Sequence, residues 1–274
     1  MGSESGPVHA PAWQEFVNEL GDSLLMPGTT LLAKYTFPAS DSNIKSTDLT
    51  ISIHGGAFIV GSVDHEDAAV RGICAATKRT AVSIGYRLAP KHKFPTLDHF
   101  SPSTPSAVLM GGSAGSNLAF GVALKLLDAG MGDKFKGVLA LVPIVVHPDA
   151  VAADKRHKFT SYEENAVATV NTLAAMKCFL DSYGPPVDDV YFYVLLHPRI
   201  RDLKKVYIVE CGADTLRDDA RLMRDALEGV SVPLRYDAYA GFPHYFWSYP
   251  SKFLKAELDA FHRNMFAAVE WLHE

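Results

Sequence analysis

The sequence has few cysteines and no long apolar run. Its 274 residues include three cysteines, Cys74, Cys178 and Cys211, and their odd number and spacing fit neither a disulfide framework nor a zinc motif. We therefore expect buried free thiols. No stretch of about 18 apolar residues is present to span a membrane, and the first residues lack the basic and apolar segments of a secretory signal. These absences predict a cytoplasmic protein without a membrane span.

A basic stripe is also missing. The chain carries 26 basic and 31 acidic side chains, a net charge of −5, which argues against nucleic acid as a partner. The densest basic run, 155–158, is expected to be a solvated loop. Hydrophobic residues make up 48% of the chain and charged residues 21%, as in ordinary globular proteins. We expect residues 1–274 to form a single domain, because α/β folds of this length often do.

Strand-like and helix-like segments alternate along the chain, which predicts a mostly parallel central sheet flanked by helices. The predicted strands are short and rich in Val, Ile and Leu, as expected for strands buried on both faces: Leu31–Phe37, Leu49–His54, Thr80–Tyr86, Ala107–Gly111, Gly137–Val142, Val206–Cys211 and Leu234–Tyr239. The predicted helices are Ala12–Leu20, Asp64–Lys78, Ser113–Ala129, Tyr162–Tyr183, Leu216–Glu228 and Ser251–His273.

One crossover departs from this pattern. Parallel strands are usually joined through a helix, but the link from Tyr86 to Ala107 is rich in proline and shows no helical spacing. The sequence thus predicts that a crossover helix is missing between Pro95 and Ala107. Its absence would leave one sheet face bare, which predicts low stability or a homodimer formed through the apolar patch.

A serine within a glycine-flanked turn is the candidate nucleophile. Strand 107–110 runs into Gly111-Gly112-Ser113-Ala114-Gly115, and helical spacing follows. Strand, G-x-S-x-G and helix form the context of a nucleophile elbow, in which a sharp turn exposes the hydroxyl above the sheet. The alternative is a serine that merely caps a helix.

The segment His54-Gly55-Gly56-Ala57-Phe58 follows an earlier strand. An HGG segment before the elbow is typical of the oxyanion loop of lipases and esterases. The backbone N–H groups of Gly55, Gly56 and Ala114 are the candidate donors to an oxyanion. His54 lacks companions at metal-ligand spacing, and the nearby acids around His65 are interpreted as the first turn of a helix. No metal site is predicted.

Asp214 and His244 are the candidate acid and base. Asp214 comes directly after a predicted strand, at the sheet edge where sites of parallel sheets lie. Asp218 and Asp219 compete for its role but fall in the first turn of the next helix. His244 follows the last predicted strand, and imidazole suits proton transfer near neutral pH. The order Ser, Asp, His is that of α/β-hydrolases.

Taken together, five motifs resemble the hormone-sensitive-lipase family of α/β-hydrolases, and its fungal members most of all: HGGAF at 54–58, YRLAP at 86–90, GGSAG at 111–115, DTLRDD at 214–219 and GFPHYF at 241–246. The resemblance implies Ser113 as nucleophile, His244 as base and Asp214 as its orienting acid. It also implies a small helical cap from about 1–30 and 148–190. Candidate substrate-pocket residues are Phe58, Tyr162, Phe179 and Tyr245, with core packing as the alternative for the cap aromatics.

The expected function is hydrolysis of a small-molecule carboxylic ester or thioester through an acyl-enzyme, without a cofactor. Some fungal members act in secondary metabolism on thioester-bound polyketides, so a carrier-protein-bound acyl chain is a further candidate substrate. The alternatives are an acyltransferase or cyclase with the same triad, and a non-catalytic small-molecule receptor of the same fold. The chain departs from the common HGGG and GDSAGG patterns at Ala57, Gly112 and Ser116.

Overall fold

A computed structural model describes residues 33–36, 45–95, 106–167, 170–249 and 251–274. These ranges contain one seven-stranded sheet, with strand order β1-β3-β2-β4-β5-β6-β7. Strand β1 pairs antiparallel with β3, and every other neighbouring pair is parallel. The strands are β1 Ala33–Thr36, β2 Lys45–Ile53, β3 Arg79–Ile84, β4 Ala107–Gly112, β5 Phe135–Leu141, β6 Val206–Ala213 and β7 Leu234–Pro243.

Helices cover both faces of this sheet, because successive strand residues point to opposite sides. On β4, Val108 and Met110 pack in one core cluster, and Leu109 packs in the other. The first cluster includes residues of α1 and α6, and the second includes residues of α2, α4 and α5. The helices are α1 Asp67–Thr77, α2 Ala114–Asp128, α3 Ser161–Glu164, α4 Leu173–Tyr183, α5 Arg217–Gly229 and α6 Lys255–His273.

The predicted α/β alternation is confirmed, since each predicted strand has a counterpart within a few residues. The predicted helix Ala12–Leu20 and the proposed cap segment 1–30 lie outside the described residues. The missing crossover helix is also untested by the structure, because residues 96–105 lie outside the described ranges. The described part of that link, 85–95, contains no helix.

The prediction of one helix over Tyr162–Tyr183 is wrong. Helix α3 ends at Glu164, where the Asn165 side chain donates to the backbone oxygens of Ser161 and Asp214. Helix α4 begins at Leu173, with the Thr172 hydroxyl accepting from the N–H of Ala175 as an N-cap. These side-chain hydrogen bonds to the backbone end α3 and begin α4, so the helix is interrupted although the apolar residues recur at helical spacing.

Cys178 corrects the expectation of three buried thiols. Cys74 and Cys211 are buried, but Cys178 is exposed. Helix α4 buries Met176, Leu180 and Tyr183, and this spacing leaves Cys178 on the solvent side of the helix. Among the described helices, none has the length and apolar character needed to cross a bilayer.

Candidate active site

Ser113 lies at the turn between β4 and α2, in a backbone conformation that side-chain-bearing residues rarely adopt. Its φ is 51° and its ψ is −116°, and its N–H donates to the carbonyl oxygen of Leu141 at 2.8 Å. A Cβ on Gly115 would overlap the carbonyl oxygen of Ile53, and a Cβ on Gly111 would overlap the backbone of Gly115. Both glycines are thus required for the strand to turn this sharply into the helix.

Asp214 and His244 meet beyond the ends of β6 and β7. Nδ1 of His244 and Oδ2 of Asp214 are 2.7 Å apart in a buried hydrogen bond. The second carboxylate oxygen, Oδ1, accepts from the backbone N–H of Leu216 at 3.0 Å. The Asp214 side chain is 0% exposed and the His244 side chain 10%, so the pair is held in a dry environment where its attraction is strong.

Asp218 and Asp219, the competing acids, have other partners. Asp218 accepts from the backbone N–H groups of Thr160 and Ser161, at 2.7 and 2.8 Å. Asp219 Oδ1 accepts from the N–H groups of Val145 and Val146. Both carboxylates fasten loops to the start of α5, and Asp214 is the acid that reaches the imidazole.

Asn171 is a site residue that sequence reasoning missed. Its amide Nδ2 donates to Oδ1 of Asp214 at 3.1 Å, and the residue is 3% exposed. It lies in the break between α3 and α4, and its backbone oxygen accepts from the Thr215 hydroxyl at 2.9 Å. No sequence motif marks it, since its position depends on the interruption of the predicted helix.

The oxyanion candidates divide into two kinds. Within the described residues, the N–H groups of Gly56 and Ala114 donate to no protein acceptor. The N–H of Gly55 instead donates to Oε1 of Glu66, at 3.2 Å. Free backbone donors beside a nucleophile suit the charge of a tetrahedral intermediate, and Gly56 and Ala114 meet that condition here.

His54 supports this loop and is not arranged as a ligand. Its Nδ1 lies 2.7 Å from the carbonyl oxygen of Gly55, and its ring stacks on Tyr86 with centroids 4.3 Å apart. The Tyr86 hydroxyl donates back to the His54 carbonyl oxygen at 3.1 Å. Burial lowers the pKa of His54, which favours a neutral structural imidazole. In the described ranges, no group of three His, Cys, Asp or Glu side chains is arranged to hold a metal ion.

A cavity of about 530 Å³ joins these groups. Ser113 and His244 both line it, as do the predicted pocket residues Phe58, Phe179 and Tyr245. Tyr162 does not belong to the lining; it is 3% exposed and packs on Phe159 in the core, with ring centroids 5.2 Å apart. The other lining residues are Gly55, Gly56, Ala57, Val60, His65, Glu66, Ile144, Val170, Asn171, Met176, Leu180, Ser248 and Tyr249.

Glu66 is the second site residue that the sequence did not reveal. The sequence predicts an acid in the first turn of a helix here, but α1 begins one residue later and the Glu66 side chain makes no capping hydrogen bond. The residue is partly exposed, whereas its carboxyl group is buried and hydrogen-bonded to Gly55 and Tyr245. Burial raises the pKa of Glu66 to about 7, and this rise is opposed in part by the hydrogen bonds from Tyr245 and Gly55 to Oε1 and by the nearby Ser52 hydroxyl.

The chain matches a known protein family over most of its length. A model of the alpha/beta hydrolase fold family matches residues 50–99 and 98–248. The two matched segments meet at 98–99, in the link between β3 and β4 for which the sequence predicts no helix.

Two curated fungal relatives and one solved structure illustrate the match. The FAD-linked oxidoreductase pytB of Aspergillus terreus is 56% identical over 89% of this chain, which spans only 34% of that protein. Versiconal hemiacetal acetate esterase of Aspergillus parasiticus is 40% identical over 96% of this chain and 98% of its own. The crystal structure of vibralactone cyclase superposes with a TM-score of 0.81 at 24% identity, covering 92% of this chain and 78% of that one.

Proposed function

The chain belongs to the alpha/beta hydrolase family, and on that premise we propose that it is a serine ester hydrolase whose catalytic triad is Ser113, His244 and Asp214. The observation that carries the proposal is the hydrogen bond of 2.7 Å between His244 and Asp214, on an imidazole that lines the same cavity as Ser113. Nucleophile, base and orienting acid are the three roles that acyl transfer requires.

In the proposed reaction, the N–H at Nδ1 of His244 donates a hydrogen bond to Oδ2 of Asp214, which leaves Nε2 as the basic nitrogen. Nε2 takes the Ser113 proton as the hydroxyl oxygen bonds to the ester carbonyl carbon. The N–H groups of Gly56 and Ala114 stabilise the resulting oxyanion. His244 then gives its proton to the departing alcohol, and an acyl-enzyme remains on Ser113. Water, deprotonated by the same imidazole, releases the acid and restores the serine.

For the substrate, we propose an ester that joins a short acyl group to a bulky, largely apolar alcohol. The relative from Aspergillus parasiticus is named for an acetate ester, versiconal hemiacetal acetate, as is a relative from Emericella nidulans that is 40% identical over 89% of this chain. The cavity volume lies in the range of sites for drug-sized molecules. Its lining includes Phe58, Phe179, Tyr245 and Tyr249, which suit an aromatic alcohol portion.

Other predictions from the sequence are not tested by these observations. A carrier-bound thioester, acyl transfer to an alcohol, a homodimer and a cytoplasmic location stay predictions. The Aspergillus terreus relative is named for an FAD-linked activity, but that protein is about three times as long as the segment that matches this chain. We therefore do not propose an FAD-linked activity for this chain.

The test of the proposed function is replacement of the nucleophile. Ser113→Ala should lower kcat on p-nitrophenyl acetate and 1-naphthyl acetate by roughly 10⁶-fold, because the covalent step is lost. It should also abolish labelling by a fluorophosphonate probe. The matched control is Ser116→Ala, which removes a hydroxyl that donates to the Ser113 carbonyl oxygen and should lose far less. A folded Ser113→Ala protein that keeps the activity of the parent chain would contradict the proposal.

A further inference from the structure

The residue after the proposed base makes a contact that the catalytic scheme does not use. Tyr245 adopts a left-handed backbone conformation, with φ at 57°, and its hydroxyl donates to Oε1 of Glu66 at 2.7 Å. The same carboxylate oxygen accepts the N–H of Gly55 at 3.2 Å. One oxygen atom thus joins the loop that bears His244 to the loop that bears the oxyanion candidates.

The elbow leaves room for this contact because residue 112 is glycine. A Cβ on Gly112 would overlap the Tyr245 hydroxyl and lie 3.2 Å from Oε1 of Glu66. A Cβ on Gly55 would lie 2.5 Å from the same hydroxyl. The phenol oxygen therefore lies between the oxyanion loop and the elbow, in space that any side chain at position 112 would take.

The Glu66 carboxyl group is costly to keep where it is. Its second oxygen, Oε2, is buried and has no hydrogen-bond partner among the described residues. Burial of a carboxyl group with an unsatisfied oxygen is unfavourable, and a plain apolar side chain would avoid that cost. Such groups concentrate at functional sites, and this one lies in the wall of the catalytic cavity.

We propose that Glu66 and Tyr245 are positioning residues, whose hydrogen bond fixes the loop of His244 relative to the oxyanion loop and the nucleophile elbow. The proposal rests on the proposed function, since it concerns the placement of the same triad. Through Tyr245, Glu66 acts on the neighbouring imidazole, and through the Gly55 N–H it sets the turn from which the Gly56 N–H projects. The His244 imidazole and the Gly56 N–H must both be placed accurately, because a displacement of about 1 Å at a reacting centre can lower the rate by about 10²-fold.

The role explains why this chain departs from the GDSAGG pattern at Gly112. An aspartate there would need the space of the phenol hydroxyl, so the two arrangements exclude each other. In this chain the carboxyl group beside the elbow comes from Glu66, in the segment between β2 and α1. The hydroxyl of Tyr245, the residue after His244, donates a hydrogen bond to it. The glycine at 112 is then a requirement of the Tyr245 position and not a neutral change at the edge of the elbow.

The decisive variants remove the acceptor, remove the donor, or fill the space. Glu66→Leu and Tyr245→Phe should each lower kcat by about 10- to 100-fold with KM changed less than about threefold, because the transition state depends on the placement that is lost. Gly112→Ala should lower kcat at least as much as Tyr245→Phe, since its methyl group displaces the hydroxyl. Glu66→Gln keeps the acceptor oxygen and should restore kcat to within a few-fold of the parent chain.

A merely structural role for the pair would not produce this pattern. Each kcat is therefore expressed per active site, counted by fluorophosphonate titration of Ser113, so that unfolded protein does not contribute. The control Tyr239→Phe removes a hydroxyl of strand β7 that accepts from Asn264 at 3.4 Å and does not line the cavity, and it should leave kcat unchanged. The double variant Glu66→Leu/Tyr245→Phe should be no slower than Glu66→Leu alone, because the two side chains act through one contact.

The outcomes separate this inference from the proposed function. If Ser113→Ala abolishes activity while Glu66→Leu and Tyr245→Phe keep the parent kcat per active site, the triad assignment holds and the positioning role is overturned. Losses in kcat that Glu66→Gln does not restore would also overturn it, because the role requires only an acceptor oxygen. Activity that survives Ser113→Ala would instead overturn the proposed function itself.

Discussion

Two buried carboxyl groups serve the cavity, and their surroundings differ. Asp214 has hydrogen-bond donors on both oxygens: Oδ1 receives Leu216 and Asn171, and Oδ2 receives His244. Glu66 accepts from the Gly55 N–H and the Tyr245 hydroxyl on the same oxygen, Oε1, and its Oε2 has no hydrogen-bond partner in the described ranges. Burial of a carboxyl group whose second oxygen lacks a donor favours the protonated form. The first environment suits an acid that orients an imidazolium, and the second suits an acceptor that holds loops in place.

Of the effects expected from changing these two carboxyl groups and their donors, the largest comes from converting Asp214 to its neutral amide. Asp214→Asn should lower kcat on p-nitrophenyl acetate by roughly 10⁴-fold, because an amide no longer fixes the productive tautomer of His244. The matched control is Asp218→Asn, the same change in an acid at the start of α5. The Asp218 carboxylate accepts from the backbone N–H groups of Thr160 and Ser161 and does not contact the imidazole. This variant should reduce the free energy of unfolding while keeping kcat per active site within a few-fold. Equal losses of kcat in both variants would contradict the assignment.

The next effect concerns stability and its dependence on pH. The pKa of Glu66 is about 7 in the folded chain and near 4.5 when unfolded, so between these values the folded state binds more protons than the unfolded state. Its contribution to the free energy of unfolding therefore falls as pH rises through this window, by up to about 3 kcal/mol. Glu66→Gln lacks this ionisation. The difference in unfolding free energy between the two proteins should thus shift in favour of the variant from pH 4.5 to 8.

Denaturant unfolding at closely spaced pH values measures this shift. The tyrosines that face Glu66, Tyr245 and Tyr86, have pKa values raised well above 10 by burial, so they stay neutral over the window. Burial lowers the pKa of His54, and subtraction of the two curves cancels groups common to both proteins. Parallel curves for the parent chain and Glu66→Gln would show that the Glu66 carboxyl is not held in the protonated form, which would contradict the prediction.

The part of the candidate site that a sequence can predict is the part that depends on local structure. Ser113, Asp214 and His244 each directly follow or end a strand of the same parallel sheet, so their meeting at one edge follows from strand order alone. The glycines at 111 and 115 are required by contacts within the turn and with the adjacent strand. When a motif stands at the end of a strand, the strand places it at the edge of the sheet, so its position in the fold can be predicted from the sequence.

The supporting residues could not be predicted, for a physical reason. Asn171 reaches Asp214 only because the segment predicted as one helix breaks between Glu164 and Leu173. Glu66 stands where a first-turn acid is ordinarily expected, and its carboxyl faces the cavity because Tyr245, 179 residues further along, supplies a donor. Tyr162 follows the alternative left open for the cap aromatics, since its side chain packs against Phe159 in the core and does not line the cavity.

The smallest expected effect comes from removing one hydrogen-bond donor to the Asp214 carboxylate. Asn171→Ala removes one of the two donors to Oδ1 of Asp214 and leaves the Leu216 N–H. A hydrogen bond to a charged group contributes about 1.5–3 kcal/mol, and with one donor retained we expect kcat to fall by about 10-fold. Asn165→Ala is the matched control, because that amide donates to the backbone oxygen of Asp214 and not to its carboxylate. If Asn165→Ala lowers kcat per active site as much as Asn171→Ala does, then the backbone position of Asp214, and not the number of donors on its carboxylate, sets the efficiency of the acid.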